Sequence, residues 1–416
     1  MKKMACLAVV ASGIMTLQSA ELILSETFER KAWPVDASWK GETSLSDEKP
    51  HSGKKAMRLS AVGGTGKCGV SKIDYLLGKY EYSLYACGTG KIQLGVIRYD
   101  KTEEGKLQYE EEISPAVPLT GDYRKIVFPF EIRKPNPDKI KLVIRVTGDD
   151  SGSFAWIDDL QLSRTEKTEA DFSGLKSAPQ MRAAAAKIKA AEPIDILYIG
   201  DSLTDLYRGG NHLDMLNYFL RDSQSGVTFR NYACRGDSIL RVMDRFNQSP
   251  KVPFRRHYKG IWDRKYAAAF VFLGANDSVQ RLETGKMAVP PDMVEKKYRE
   301  LFDLFKKHGI RNVFLVSPAS SYYPACLSNA KKRIAAQKGG VFGIPENIEC
   351  FASVIRKLSE EYHFPCLDLY SAMKDLPDKA KLFNEADGVH LTPAGQEFVA
   401  LKELEFLAET GLVGQR

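Results

Sequence analysis

Residues 194–205 read IDILYIGDSLTD, an apolar run from Ile194 to Ile199 that passes straight into the small polar turn Gly200-Asp201-Ser202. Such a run, closed by a glycine and polar residues, is the pattern of a buried strand and its end. Apolar runs recur at 267–273, 313–316 and 366–369, with a weaker one at 227–233. Helix-period stretches lie between and after them, at 212–221, 239–246, 293–308, 348–362 and 394–409. This alternation predicts a parallel sheet with helices on both faces. Ligands of such sheets bind beyond the carboxyl ends of the strands, so the polar residues there carry the functional reading.

Four stretches occupy those ends: Gly200-Asp201-Ser202-Leu203-Thr204, residues 231–238 around Gly236, Gly274-Ala275-Asn276-Asp277, and Asp387-Gly388-Val389-His390. Together they hold the residue types of acyl transfer. A serine hydroxyl is a poor nucleophile until an imidazole takes its proton, and a third group must hold that imidazole in the right tautomer. Asp387 and His390, three residues apart on one loop, suit the second and third roles, with Ser202 as nucleophile. Thr392-Pro393 reads as a helix N-cap and first-turn proline that would anchor this loop. The backbone N–H groups of Ser202 and Gly236 and the side-chain amide of Asn276 are candidate oxyanion donors. The other reading of Ser202 is a helix cap, with Asp205 completing a capping box. The two readings are compatible.

In order and spacing these stretches resemble the SGNH (GDSL-type) hydrolases, a superfamily of serine esterases and lipases, over the chain from about Ile194 onward. The resemblance implies a three-layer α/β/α sandwich with about five parallel strands. It places the hallmark residues on Ser202, Gly236, Asn276 and His390, with Asp387 orienting the histidine. Gly236 alone carries the second stretch. No metal and no organic cofactor are implied, and Asp201 is a structural neighbour. Gly-x-Ser-x-Gly is missing, which excludes the nucleophile elbow of α/β-hydrolases but not serine catalysis.

Tyr207, Arg208 and Arg235 adjoin these motifs, and the long segment 318–347 contains Tyr322 and Tyr323. All five are candidate substrate contacts, packing and ion pairing being the alternative. His51, His212, His257, His308 and His363 lack a carboxylate at the interval seen in Asp387–His390 and read as surface or packing residues. The lysine-rich residues 329–338 read as a solvated helix face.

The first part of the chain follows a different pattern. Residues 56–60, 80–85, 92–97, 125–130 and 140–146 alternate apolar with polar or small, without helical period. Within 21–164 this predicts an all-β sandwich. Residues 153–162, SFAWIDDLQL, and the opening Glu26-Thr27-Phe28-Glu29 resemble jelly-roll carbohydrate-binding modules. The domain then either binds sugar, with Trp33 and Trp39 as candidate stacking surfaces, or acts as a spacer. Residues 165–193 read as a partly helical linker, and 194–416 as the catalytic domain.

Residues 1–20 join Lys2 and Lys3 to an uncharged apolar run and carry no acid, the layout of a secretory signal too short to span a membrane as a mature helix. Export to the periplasm or medium is the expectation. The formal charge of +7 becomes +5 without this segment. That surplus is spread over both domains and points to neither nucleic acid nor a membrane surface. The remaining six cysteines match no zinc or redox spacing. Cys68 with Cys87 is the most plausible disulfide, free buried thiols being the alternative. Oligomeric state is not legible.

The expected activity is that of an exported carbohydrate O-acetyl esterase working through an acyl-enzyme on an acetylated glycan or other small-acyl ester. A lipase, thioesterase or lysophospholipase, a glycan O-acyltransferase, and a non-catalytic glycan-binding relic are the alternatives.

Overall fold

The computed structural model describes residues 20–29, 35–70, 76–101, 107–133, 139–148, 152–249, 258, 260–336 and 339–411. The signal-like residues 1–19, Trp33 and His257 lie outside this set, as does the side chain of Trp39. The chain divides into two compact units, Met1–Glu169 and Ala170–Arg416.

The first unit contains two six-stranded antiparallel sheets. One runs Arg124–Ile132, Gly78–Thr89, Phe154–Lys167, Ala56–Ser60, Glu42–Ser46, with Glu21–Glu26 also paired to Phe154–Lys167. The other runs Val35–Lys40, Thr65–Val70, Lys139–Thr147, Lys91–Lys101, Leu107–Ile113, with Val117–Pro118 on Lys91–Lys101. Alternation sets the buried face. Tyr80, Tyr82 and Leu84 lie opposite Phe130, Phe128 and Ile126 across the register, and all six are buried. Cross-strand pairs of this kind are what stabilise a sheet. The disulfide expectation fails here: Cys68 and Cys87 are both free and buried. They stand on strands of different sheets.

In the second unit, strands β1 (Ile194–Gly200), β2 (Val227–Asn231), β3 (Ala268–Phe272), β4 (Asn312–Val316) and β5 (Cys366–Leu367) form a parallel sheet in the order β2-β1-β3-β4-β5. Its main helices are α1 (Ala178–Ala185), α2 (Ser202–Asp205), α3 (His212–Asp222), α4 (Ile239–Phe246), α5 (Pro291–Lys307), α6 (Tyr323–Ala335), α7 (Pro345–Tyr362), α8 (Leu369–Lys374) and α9 (Pro393–Thr410). Ile196, Tyr198, Phe270 and Phe314 point to one core, shared with α1, α3 and α9. Leu197, Ile199, Val271 and Leu315 point to another, shared with α4, α5 and α7. Both faces being covered explains why the strands read as unbroken apolar runs.

The segment 165–193 differs from the linker expected of it. The last strand of the first unit continues to Lys167, and α1 belongs to the second unit. Met181 and Ala185 are fully buried in the core that α1 shares with α9. Alanines favour helix on propensity alone, but this helix is held by an apolar face packed against the rest of the second unit. Within 318–347, α6 starts six residues before the lysine-rich face, and Gln280–Arg281 pairs antiparallel with Gly340–Val341. Among the described residues, no helix is long and apolar enough to cross a membrane.

Candidate active site

Strand β1 ends at Gly200, where a Cβ would stand 2.9 Å from Thr204 Oγ1 and 3.2 Å from the Ala233 side chain. Asp201 is the N-cap of α2, its Oδ1 accepting from the Leu203 amide at 2.9 Å. The capping reading of Ser202 and Asp205 is therefore corrected by one position. Ser202 is the first helical residue and Asp205 is taken by arginines. With the cap supplied by Asp201, the Ser202 hydroxyl is free to face another partner. It lies 3.0 Å from His390 Nε2.

His390 Nδ1 is 2.7 Å from Asp387 Oδ2, and Asp387 Oδ1 accepts from the amides of Val389 and His390, each at 2.9 Å. Burial pushes the Asp387 carboxyl up, but the hydrogen bond and charge of His390 and the two amides outweigh it, so it sits below the ordinary range. The loop has little freedom. Gly388 has φ +70, and a Cβ there would lie 2.4 Å from the Tyr322 carbonyl oxygen. Thr392 Oγ1 accepts from the Gly395 amide at 3.2 Å, with Pro393 opening α9.

The three candidate oxyanion donors stand in different local settings. The Ser202 amide is in the first turn of α2, where N–H groups have no intrahelical acceptor. Gly236 has φ +75, a left-handed conformation that side chains disfavour. Asn276 differs from expectation. Its Nδ2 already donates to the Asp237 carbonyl at 3.0 Å and to Asp201 Oδ2 at 3.3 Å. Beneath lie buried carboxylates. Burial pushes Asp201 up to about 6 and Asp277 up to about 8. Asp277 Oδ1 accepts from the Ile239 amide at 2.9 Å while its Oδ2 has no partner among the described residues. Asp237 is held at 2.7 Å through both oxygens by Arg245.

Residues 198–398 match the model of the GDSL-like Lipase/Acylhydrolase family. Over those residues the second unit is similar to the GDSL-like lipases and acylhydrolases. A curated relative, the isoamyl acetate-hydrolyzing esterase 1 homolog of Mus musculus, is 26% identical over 146 residues, 34% of this chain and 56% of that protein. The chain thus spans little more than half the length of that relative. Among solved structures, a lipase/acylhydrolase from Enterococcus faecalis is 18% identical, covering 52% of this chain and 96% of that one, with a TM-score of 0.38. A catalytic mutant of an acetylxylan esterase from Geobacillus stearothermophilus is 17% identical, covering 55% and 100%, at 0.40. A xylan-binding domain from Paenibacillus barcinonensis is 17% identical, covering 36% and 97%, at 0.30.

The second unit treats the candidate substrate contacts unequally. Arg208 is committed to structure, donating to Asp205 Oδ1 at 2.8 and 2.6 Å and to the Ala233 carbonyl at 2.8 Å. Arg235 is exposed and lies 3.3 Å from Asp205 Oδ2. Tyr207 is half-buried at φ 55. Tyr322 docks on the histidine loop through its amide, which donates to the Gly388 carbonyl at 2.8 Å. Tyr323 opens α6, half-buried. No group of three or more His, Cys, Asp or Glu suited to a metal ion occurs among the described residues.

Two histidines do have carboxylate partners. His51 Nδ1 lies 2.7 Å from Asp159, and His212 Nδ1 lies 2.7 Å from Glu403, the second pair fully buried. Both partners are more than a hundred positions away, so no local spacing announces them.

Proposed function

We propose that the protein is a serine esterase, most specifically an exported carbohydrate O-acetyl esterase. The observation that carries this reading is the continuous chain Ser202 Oγ–His390 Nε2 at 3.0 Å and His390 Nδ1–Asp387 Oδ2 at 2.7 Å. Ser202 attacks the ester carbonyl carbon as its proton passes to His390 Nε2, and Asp387 stabilises the imidazolium that forms. The amides of Ser202 and Gly236, with the Asn276 side chain, receive the charge on the carbonyl oxygen. His390 returns the proton to the leaving alkoxide, the C–O bond breaks, and an acyl-serine remains. Water then attacks this ester with His390 as base, releasing the acid and restoring the hydroxyl.

The match to acylhydrolases supports ester cleavage. The small-acyl preference draws on the similarity to a protein named for hydrolysing isoamyl acetate. The glycan preference draws on the all-β first unit and its resemblance to carbohydrate-binding modules, and export on the first twenty residues.

The test is hydrolysis of 4-nitrophenyl acetate and acetate release from a panel of O-acetylated glycans, with Ser202→Ala as control. A loss of at least about 10³-fold in kcat on removing the nucleophile is expected. Equal turnover by wild type and Ser202→Ala would remove serine catalysis. Faster turnover of long-chain than of acetyl esters would replace the acetyl reading with a lipase, and transfer to a sugar hydroxyl in preference to water would make the enzyme an acyltransferase.

A further inference from the structure

A second set of buried polar groups lies behind the serine turn and plays no chemical part in the mechanism above. Gln396, on α9 and six residues after His390, is nearly inaccessible. Its Nε2 donates to the Leu203 carbonyl at 2.9 Å, and its Oε1 accepts from the His212 amide at 2.9 Å. One side chain thus links the helix that follows the histidine loop to the helix that begins with Ser202 and to the start of α3. Two turns further along α9 the tie is repeated. Glu403 accepts from Tyr198 of β1 at 2.5 Å through Oε1 and pairs with His212 Nδ1 at 2.7 Å through Oε2. His212 Nε2 lies 3.0 Å from Thr204 Oγ1, again on α2. Glu403, His212 and Thr204 are all fully buried.

Apolar residues of similar volume would fill this space without the desolvation cost of a buried carboxylate and imidazole. Hydrogen bonds differ from apolar packing in fixing direction and register, and every polar end of this set meets α2, α3 or β1 from α9. The two halves of the reacting pair, Ser202 and His390, lie 188 residues apart in sequence and meet through one 3.0 Å contact. Their separation is set by how α9 sits against β1 and α2.

Resting on the esterase reading, we propose that Gln396 and the Glu403–His212 pair are positioning residues: they register α9 against the serine turn and so hold His390 Nε2 within hydrogen-bond reach of Ser202 Oγ. A misplacement of about 1 Å between reacting groups costs on the order of 10²-fold in rate. Loss of the tether therefore acts on kcat and leaves substrate binding nearly untouched.

Gln396→Met keeps the length and packing of the side chain and removes both hydrogen bonds. The control is Leu407→Ala, a core truncation on the same helix, about three turns past Gln396, that removes no hydrogen-bonding group. Each is assayed with 4-nitrophenyl acetate below its own melting transition, with Ser202→Ala alongside. The expected result for Gln396→Met is a kcat lowered about 10- to 100-fold at a KM within about twofold, while Leu407→Ala melts earlier and keeps its kcat. Glu403→Gln, which preserves size and one acceptor, is expected to shift kcat in the same direction and takes over the reading where Gln396→Met does not fold. A Gln396→Met enzyme with kcat within twofold of wild type overturns the tether. So does a Leu407→Ala enzyme whose kcat falls as far at an equal loss of melting temperature. A wild-type protein without Ser202-dependent turnover overturns the esterase reading itself, and the tether with it.

Discussion

Replacing Asp387 by asparagine isolates the orienting role of this carboxylate. The loop should survive the change, because an amide oxygen in place of Oδ1 still accepts from the Val389 and His390 amides, each 2.9 Å away. At the other end, an NH2 group replaces the acceptor that now faces His390 Nδ1 at 2.7 Å. An NH2 can only donate there, which turns the imidazole to the tautomer with its proton on Nε2, the nitrogen that must accept from Ser202. The imidazolium also loses its counter-charge. For unit charges about 4 Å apart at an effective dielectric of about 20, that attraction is about 4 kcal/mol. At about 1.4 kcal/mol per decade it amounts to roughly three decades in rate. The two side chains are 25% and 33% exposed, so solvent screening moves the expectation toward the lower end of a 10²- to 10³-fold loss. The assay is steady-state hydrolysis of 4-nitrophenyl acetate, with a thermal melt to show that the fold is intact. The expected outcome is a fall confined to kcat, KM staying within about threefold. A loss of less than tenfold in kcat, or one lying wholly in KM, would falsify the orienting role.

Gly236→Ala places a side chain at φ +75, with its Cβ 2.9 Å from Arg241 Nη1. The left-handed conformation costs roughly 1–2 kcal/mol, so calorimetry should show a lowered melting temperature. Alanine keeps the N–H, so kcat within about tenfold of wild type is expected if the loop holds its place, and a loss of about 10²-fold would show that the added Cβ displaces this donor. For Asp277→Asn the sign follows from burial. The folded-state pKa is raised from 3.8 to about 8, so the stability of the wild type is fully present below the unfolded value and declines as pH rises toward 8. Asparagine keeps the bond to the Ile239 amide and carries no charge. The melting temperature of the variant should therefore exceed that of wild type by a margin that grows from pH 4 to pH 8. A margin independent of pH would show that Asp277 does not titrate there.

Much of the second unit is local information. Its strands are apolar runs closed by glycine or polar residues, and five of its helices begin and end within three residues of where periodicity places them. Thr392 with Pro393 is likewise a short-range signal, as is the pair Asp387 and His390, whose three-residue separation suffices for contact. Inferences that rested on composition alone fared worse. The alanine-rich helix is legible as a helix, but its burial against α9 depends on a partner about two hundred residues away. The cysteines of the first unit are close in sequence, yet the order of strands sends them to separate sheets.

The sequence by itself determined which segments become strands and helices, and which residue types stand at the strand ends where chemistry takes place. Period, capping and turn chemistry act over a few residues, and that range is enough. Tertiary structure alone decided that Asp201 rather than Ser202 caps α2, that the amide of Asn276 is already shared by Asp201 and Asp237, and that Arg208 belongs to Asp205. It also decided that His212 finds Glu403 at a separation of 191 residues. These facts depend on how side chains far apart in sequence satisfy one another once water is excluded. A buried polar atom must find a partner, and only the packed sheet and helices determine which one it finds.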